Sequence, residues 1–168
     1  MSELIKEINL RRAKRALSDK KIPQETIQRL MTAATYAPSC FNNQSWRFLL
    51  LTDDAALKKV HESLSGGNYW VKKAPLVVVT ATKPDLDCRL SDRRDYAHPI
   101  AGFDPLKVKE AFRIPDEFIV ITLVAIGFPG DESALRDKHR ELENSARDRK
   151  PLEHVLCFNR WAFKSSQN

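Results

Sequence analysis

The chain has 168 residues, of which 42% are hydrophobic and 30% are charged, and this length is typical of one domain. The composition excludes a disordered chain, a collagen and a coiled coil as the main interpretation. No apolar run approaches the roughly 18 residues that a membrane helix needs, and the N-terminus lacks the apolar core of a secretory signal. We therefore expect a single cytoplasmic domain over residues 1–168, with no membrane association.

The cysteines favour the same compartment. Cys40, Cys88 and Cys157 are odd in number and irregularly spaced, which fits neither a disulfide framework nor a zinc site and indicates a reducing environment. Cys40 is interpreted as a small packed residue of a loop. The alternative, a reactive thiol, lacks a visible histidine or cysteine partner.

The net charge is +6, from 28 Lys and Arg against 22 Asp and Glu. This modest excess suits an anionic small molecule such as a phosphorylated cofactor, and it is also compatible with nucleic acid or with a solvated basic surface. A nucleic-acid binder is disfavoured, because the arginines divide between the two ends of the chain and no helix-turn-helix, zinc or RNA-binding signature is present.

Hydrophobic spacing predicts alternating helices and strands. Helices are predicted over residues 2–9, 24–36, 54–64, 105–112 and 132–146, the last of them very polar. Strands are predicted over residues 47–52, 76–81, 118–126 and 155–158, with turns at 66–68 and 127–131 and an irregular polar segment over 83–104. The unbroken β-branched run at 76–81 predicts a strand buried on both faces. The alternation favours a layered α/β or α+β domain.

Two basic segments lie near the ends of the chain. Residues 11–15 contain three arginines and a lysine, a compact cationic cluster whose guanidinium groups suit phosphate oxygens. Arg147 and Arg149 form a second basic pair. Considered alone, the first cluster could equally be a solvated helix end and the second could be ordinary surface charge.

The loop after the 24–36 helix packs polar amides between Pro38 and Trp46. Asn42, Asn43 and Gln44 offer donors and acceptors to a planar heterocycle. A plain turn before a strand accounts for Pro38 and Asn43, but it leaves the Asn-Asn-Gln run beside Trp46 unexplained.

Three segments in order, residues 11–15, 37–48 and 147–153, together resemble the FMN-dependent nitroreductase family. Residues 67–69 and 99–104 extend the resemblance, which spans residue 5 to about residue 160. It implies an α+β fold, a three-layer α/β/α sandwich with a mostly antiparallel or mixed sheet. It also implies a homodimer with FMN at the interface, and chemistry on the flavin without a catalytic side chain or a metal.

The resemblance also assigns roles to residues. Arg11, Arg12, Arg15, Arg147 and Arg149 match positions that hold the phosphate and polar edge of FMN, and Ala13 stands where the family usually has serine. Asn68 matches a position that bonds the pyrimidine edge of the flavin. The partner subunit would contribute the loop Pro38, Ser39, Cys40, Phe41 and Asn42. The backbone of Pro99, Ile100, Ala101 and Gly102 would lie along the flavin ring, where an N–H stabilises the reduced anion and glycine permits close approach.

One departure from the family is large. The family has a long central helix before the 99–104 stretch, whereas here no apolar helical pattern exists between Lys83 and Pro99, and residues 95–96 run straight into residues 97–99. The sequence therefore predicts a deletion of that helix near residues 96–98. The chain is a naturally shortened member, an altered chain, or a sequence from which unobserved residues are missing.

The expected activity is oxidation of NADH or NADPH through bound FMN in a ping-pong cycle, with a nitroaromatic, a quinone or a similar small molecule as electron acceptor. The alternative is a flavin-binding protein without robust turnover, for storage, sensing or flavin breakdown. The deletion of the central helix gives this alternative more weight, but the enzyme stays the expected function.

Overall fold

A computed structural model describes residues 13–37, 42–82 and 102–145. Its helices are α1 (Gln24–Thr35), α2 (Asp54–His61), α3 (Pro105–Phe112) and α4 (Asp137–Asn144), with two 3-10 helices, η1 (Gly66–Lys73) and η2 (Glu132–Ala134). Its strands are β1 (Trp46–Leu51), β2 (Leu76–Thr82) and β3 (Ile119–Ile126). The predicted helix at 2–9, the predicted strand at 155–158 and most of the irregular segment lie outside the described residues.

The three strands form one antiparallel sheet in the order β1-β2-β3. Val79, at the middle of β2, faces Leu49 of β1 on one side and Leu123 of β3 on the other. The register shifts between Thr80 and Ala81, where β2 pairs with β3. The central strand is buried along most of its length, which explains its nearly unbroken β-branched sequence.

Helix α1 covers one face of this sheet. Pro23 lies immediately before the helix, where its fixed φ and missing N–H are tolerated. Ile27 is buried and packs with Leu76 and Val78 of β2. This contact explains why the apolar residues of α1 recur at helical spacing.

The other face is covered by α2, η1 and α3. Val60, Val71 and Val108 supply one fully buried valine from each of these helices, and they pack in one cluster with Val79 and Leu123 of the sheet. Helices therefore lie on both sides of an antiparallel sheet. The predicted α+β three-layer sandwich is confirmed.

Aspartates begin two of these helices. The side chain of Asp53 accepts a hydrogen bond from the N–H of Ala56 at 2.9 Å, which caps α2. Asp104 Oδ1 accepts from the N–H groups of Leu106 at 2.9 Å and Lys107 at 3.2 Å, which caps α3. An N-cap of this kind contributes about 1 kcal/mol. The cap on α3 also fixes the direction of the chain that enters the helix from Gly102.

Several predicted boundaries were wrong. Helix α2 ends at His61 rather than near residue 64, because the chain turns there and Ser63 donates its hydroxyl hydrogen to the carbonyl of Val60. The predicted turn at 66–68 is the beginning of η1. The predicted polar helix at 132–146 divides into η2 and α4, because the side chain of Asp131 caps a separate short turn through the N–H of Ser133.

Strand β1 was predicted to be buried, but its first five residues alternate between partly buried and exposed, and only Leu51 at its end is buried. Phe48 and Leu50 pack towards α1, whereas Arg47 and Leu49 are exposed. Among the described residues, only one face of this strand is well covered. No helix of the described residues is long and apolar enough to cross a membrane.

His61 makes the stability of the fold depend on pH. Its Nε2 is buried and makes no hydrogen bond within the described residues. Burial lowers the pKa of His61 from its usual 6.5, and the Lys72 cation lowers it further. Between that lowered pKa and 6.5, the unfolded chain binds more protons than the folded chain, so stability falls as the pH falls through this window.

We therefore expect the Tm of the wild-type chain to drop between about pH 7 and pH 5, and to drop less in the variant His61→Leu. Thermal melts followed by circular dichroism across this range test the expectation. Equal pH slopes in the two chains would contradict it.

Candidate functional site

Residues 102–104 lie alongside residues 63–65. The N–H of Ser65 donates to the carbonyl of Gly102 at 2.8 Å, and the N–H of Asp104 donates to the carbonyl of Ser63 at 2.8 Å. Asn68, in the first turn of η1, donates its side-chain Nδ2–H to the same Gly102 carbonyl at 3.0 Å. Two residues that are far apart in the sequence are thus held together by a direct hydrogen bond.

Gly102 has a φ of 84°, a backbone conformation that favours glycine. A Cβ atom at this position would lie 2.4 Å from Ser65 Oγ and 3.5 Å from Asn68 Nδ2. The close neighbour of Gly102 in the structure is Ser65, within the chain itself, and the close approach of Gly102 to the flavin stays a prediction. The glycine allows the Gly102 carbonyl to receive both hydrogen bonds.

The N-terminal segment, residues 13–18, lies against residues 128–130. The N–H of Ser18 donates to the carbonyl of Phe128 at 2.8 Å, and the N–H of Gly130 donates to the carbonyl of Ala16 at 2.9 Å. Leu17 and Pro129 form the bridge between them. This pairing holds part of the predicted basic cluster next to the end of β3.

Two glutamates fasten the same segment to the region around α4. Glu143 Oε1 and Oε2 accept from the N–H of Arg15 at 2.8 and 3.0 Å, and Oε1 also accepts from the N–H of Ala16 at 3.0 Å. Glu132 forms an ion pair with Lys14 at 3.3 Å. The hydrogen bond from Asn144, followed by that from Lys14, lowers the pKa of Glu132, so its carboxylate stays charged at a lower pH than that of an ordinary glutamate.

A cavity of about 170 Å³ lies between the N-terminal segment and η1. Arg15, Lys72 and Lys73 bring cationic groups to its lining, Asp131 brings a carboxylate, and Trp70 brings an aromatic surface. The cavity is smaller than the roughly 300–1,000 Å³ of typical small-molecule sites. It therefore suits part of a ligand, and its charge balance favours an anionic part.

Tyr69 connects η1 to the beginning of α4. Its hydroxyl oxygen accepts from the N–H of Arg136 at 2.7 Å and lies 3.2 Å from Nδ1 of His139. The rings of Tyr69 and His139 are stacked at 5.5 Å, and the Arg136 guanidinium lies 4.5 Å from the centre of the Tyr69 ring. Helix α4 is thus held to η1 at one end and to the N-terminal segment at the other.

Comparison with known proteins identifies the family. The sequence model of the nitroreductase family matches residues 8–94, more than half of the chain. The chain belongs to this family. Membership confirms the predicted resemblance and makes the chain an oxidoreductase by class.

Relatives and solved structures agree with this assignment. The chain is 29% identical to a protein of Archaeoglobus fulgidus named "Putative NADH dehydrogenase/NAD(P)H nitroreductase", over 79% of this chain and 88% of that protein. It is 32% identical to an FMN reductase [NAD(P)H] of Bacillus subtilis, over 47% of this chain and 31% of that protein. A solved structure described as an oxidoreductase containing FMN is 24% identical, with a TM-score of 0.80 over 98% of this chain and 96% of that one. That last similarity confirms the fold.

The structure describes five of the residues predicted for the cofactor site. Asn68 and Gly102 are in direct contact, and Arg15 is half-buried beside the cavity. Ala13 and Asn42 are exposed, and Asn42 has a φ of 58°, a left-handed conformation that asparagine tolerates. The other predicted residues lie outside the described part of the chain: Arg11, Arg12, Pro38, Ser39, Cys40, Phe41, Pro99, Ile100, Ala101, Arg147 and Arg149.

Sequence reasoning missed several residues that shape this region. Glu143 and His139 were assigned no role, Tyr69 entered only as part of the segment 67–69, and Lys72 and Lys73 were not connected with the basic cluster. The hydrogen-bond partners of Glu143, Tyr69 and His139 lie more than sixty residues away in the sequence, so no local spacing could reveal them. Within residues 13–37, 42–82 and 102–145, no group of three or more His, Cys, Asp and Glu residues could hold a metal ion.

Proposed function

We propose that this chain binds FMN and oxidises NADH or NADPH, reducing a nitroaromatic, a quinone or a similar small molecule. The observation that carries the proposal is the hydrogen bond from Asn68 to the Gly102 carbonyl. It joins two positions that the family resemblance separately assigns to the flavin. The relatives' names, which include FMN reductase and NAD(P)H nitroreductase, support the same activity.

The residues of the chain fit such a group. Arg15 and the neighbouring Lys72 and Lys73 form a cationic lining suited to the FMN phosphate. Asn68 brings an amide next to the turn at Gly102, which suits the polar edge of the ring. Ala13 removes one hydroxyl contact that the family usually has, although its backbone can still donate.

When bound, FMN supplies hydride transfer between the nicotinamide and the acceptor. The protein's part is to hold the phosphate, orient the ring and place backbone N–H groups near its reactive edge. The Gly102 conformation fixes the course of the chain just after Pro99–Ala101, the stretch proposed to lie along the ring. No acid–base side chain is required by this division of labour.

We further propose a homodimer in the cytoplasm, with the loop over residues 38–42 of each chain reaching the FMN of the other. The family resemblance of residues 37–48 supports this arrangement. Its test is sedimentation equilibrium, which should give twice the mass of one chain, 19.2 kDa. A monomer that retains FMN would contradict the shared site.

We also propose that the central helix of the family is deleted here, between β2 and α3. The match to the Archaeoglobus protein extends over 154 residues but involves 79% of this 168-residue chain. Because 79% of this chain is fewer than 154 residues, some of the aligned positions are residues of the relative with no counterpart here. This supports the presence of extra residues in the relative. The solved FMN-containing oxidoreductase, matched over nearly its whole length, supports a natural architecture of this size.

The first experiment is an absorbance spectrum of the purified protein, with the flavin released by denaturation identified beside it. Flavin bands that bleach on anaerobic addition of NADH or NADPH are expected. A yellow protein that neither nucleotide reduces would favour the alternative, flavin binding without robust turnover. A colourless protein that refuses added FMN would contradict the proposal.

The double variant Arg15→Ala with Arg149→Ala should release FMN while the fold is retained. Each guanidinium–phosphate contact contributes about 1.5 kcal/mol or more, so the two losses together weaken FMN binding by about 100-fold. Titration of flavin fluorescence measures the change. The control Arg29→Ala with Lys58→Ala removes the same charge from exposed positions on α1 and α2. Full yellow colour of the double variant after gel filtration would contradict the phosphate assignment.

A further inference from the structure

We propose that Glu143 is a positioning residue for the phosphate of the cofactor. Its carboxylate holds the backbone of Arg15 and Ala16 against the end of α4, and this contact orders the segment that brings Arg15 to the cationic cavity. The inference rests on the proposed function, and it adds a residue that neither the sequence motifs nor the family resemblance singled out.

The contact is well formed and partly buried. Glu143 accepts three hydrogen bonds of 2.8, 3.0 and 3.0 Å from two consecutive backbone N–H groups. Both carboxylate oxygens take part, so the orientation of the side chain is fixed. Hydrogen bonds to a charged acceptor are about twice as strong as neutral ones.

A second set of contacts keeps α4 in place for this purpose. Asn144, the residue after Glu143, donates its side-chain Nδ2–H to Glu132 at 2.8 Å, and Glu132 pairs with Lys14. At the other end of α4, Tyr69 binds the N–H of Arg136 and stacks on His139. The helix is therefore anchored at both ends.

The anchoring by Glu143 has a consequence for the cavity beside the N-terminal segment. Arg15 lines this cavity together with Lys72 and Lys73, so the contact with Glu143 orders the backbone that brings an arginine to the cationic lining. A phosphate bound there would depend on where Glu143 holds Arg15.

Glu143 also has an alternative role, competition with the phosphate, and the direction of the change in FMN affinity distinguishes the two roles. A carboxylate on backbone N–H groups beside Arg15 could compete with a phosphate for the same donors. Removal of a competitor would tighten FMN binding, whereas removal of a positioning residue would weaken it. The three hydrogen bonds favour the positioning role, because they order the segment that carries Arg15.

The test compares FMN with riboflavin, which lacks the phosphate, on the full chain. In Glu143→Gln the shape is retained but the charge is lost, and the amide oxygen replaces two acceptors with one. We expect FMN binding to weaken by about tenfold, the loss of roughly one charged hydrogen bond, with riboflavin binding unchanged. Flavin fluorescence quenching gives both dissociation constants. The matched control is Glu141→Gln, an exposed glutamate on the same helix.

An equal loss of FMN and riboflavin affinity in Glu143→Gln would mean that Glu143 has a general structural role. An unchanged or tighter FMN affinity would mean that Glu143 has no positioning role. Either result overturns the role of Glu143 and leaves the proposed FMN site intact. If the wild-type chain bound riboflavin and FMN equally, or neither, the proposed phosphate site would fail, and this inference with it. Thermal melts of Glu143→Gln and of the shorter Glu143→Asp, which keeps the charge, verify that the fold is retained. Recovery of FMN affinity in Glu143→Asp relative to Glu143→Gln supports the role of the charge.

Discussion

Replacing Gly102 with alanine is expected to destabilise the chain by about 2–4 kcal/mol, since strained backbone and steric overlap add. The φ of 84° is unfavourable for alanine. The new Cβ would lie 2.4 Å from Ser65 Oγ, closer than two heavy atoms can approach without a bond. Either Ser65 turns away or the backbone moves, and a backbone shift would disturb both hydrogen bonds to the Gly102 carbonyl. We therefore also expect weaker FMN binding in the same variant.

Urea unfolding followed by circular dichroism measures the change in the free energy of unfolding. The matched control is Gly67→Ala, because a Cβ at Gly67 meets nothing within 4 Å and that glycine has no positive φ. A second variant, Gly102→Ala with Ser65→Ala, removes the overlapping hydroxyl and should recover part of the loss. Wild-type stability in Gly102→Ala would contradict the described backbone.

Replacing Leu123 with alanine is expected to cost about 2–5 kcal/mol, the usual range for a buried leucine. Leu123 is fully buried on β3 and faces Val79 across the sheet. Its side chain belongs to the cluster that joins the sheet to α2, η1 and α3. The pairing of β2 with β3 continues on either side of Leu123, so the strands resist moving into the cavity that the alanine leaves. We therefore expect a loss of stability near the upper end of this range.

The control is Leu106→Ala, the same substitution at a leucine of α3 that is 74% exposed. It should change the free energy of unfolding by no more than about 0.5 kcal/mol. Chemical denaturation of both variants gives the comparison. A loss as small at Leu123 as at Leu106 would show that the cluster around Leu123 is not the core of the domain.

The strands were the most predictable part of the fold. Strands β2 and β3 were predicted to within a residue at each end, because burial on two faces requires apolar residues with little interruption. Strand β1 was located correctly but its burial was wrong, since a short apolar run does not reveal which face a helix covers. The 3-10 helix η1 was not predicted, because Gly66 and Gly67 favour a turn and the sequence therefore predicted a turn at residues 66–68.

The candidate site was predictable in its members and not in its geometry. Asn68 and Gly102 were selected through the family resemblance, and physical reasoning supplied only the need for glycine where a backbone comes close. That Ser65 is the close neighbour follows from the pairing of residues 63–65 with 102–104, a long-range contact without a local signature. The roles of Arg11, Arg12, Arg147 and Arg149 remain predictions.

The polar helix shows the same limit from another side. Its sequence indicated a solvated helix with little to bury, and the exposure of α4 agrees. Hydropathy cannot indicate that Glu143 reaches the backbone of Arg15, because a glutamate that accepts backbone hydrogen bonds and a solvated glutamate have the same hydropathy. Charged side chains with distant backbone partners are therefore the class of site residue that pattern reading misses.

The pairing of Arg15 with Glu143 closes a loop of 128 residues, and this sets an order of assembly. Loop closure at such a separation has a larger entropic cost than closure between neighbouring strands, so we expect the strand pairings of the sheet to form first and the N-terminal segment to dock last. The reverse process, detachment of that segment, breaks its hydrogen bonds and the packing of Leu17 against the core while the sheet stays intact. For FMN bound as proposed, we therefore expect release through a partial opening at one edge of the molecule, without global unfolding.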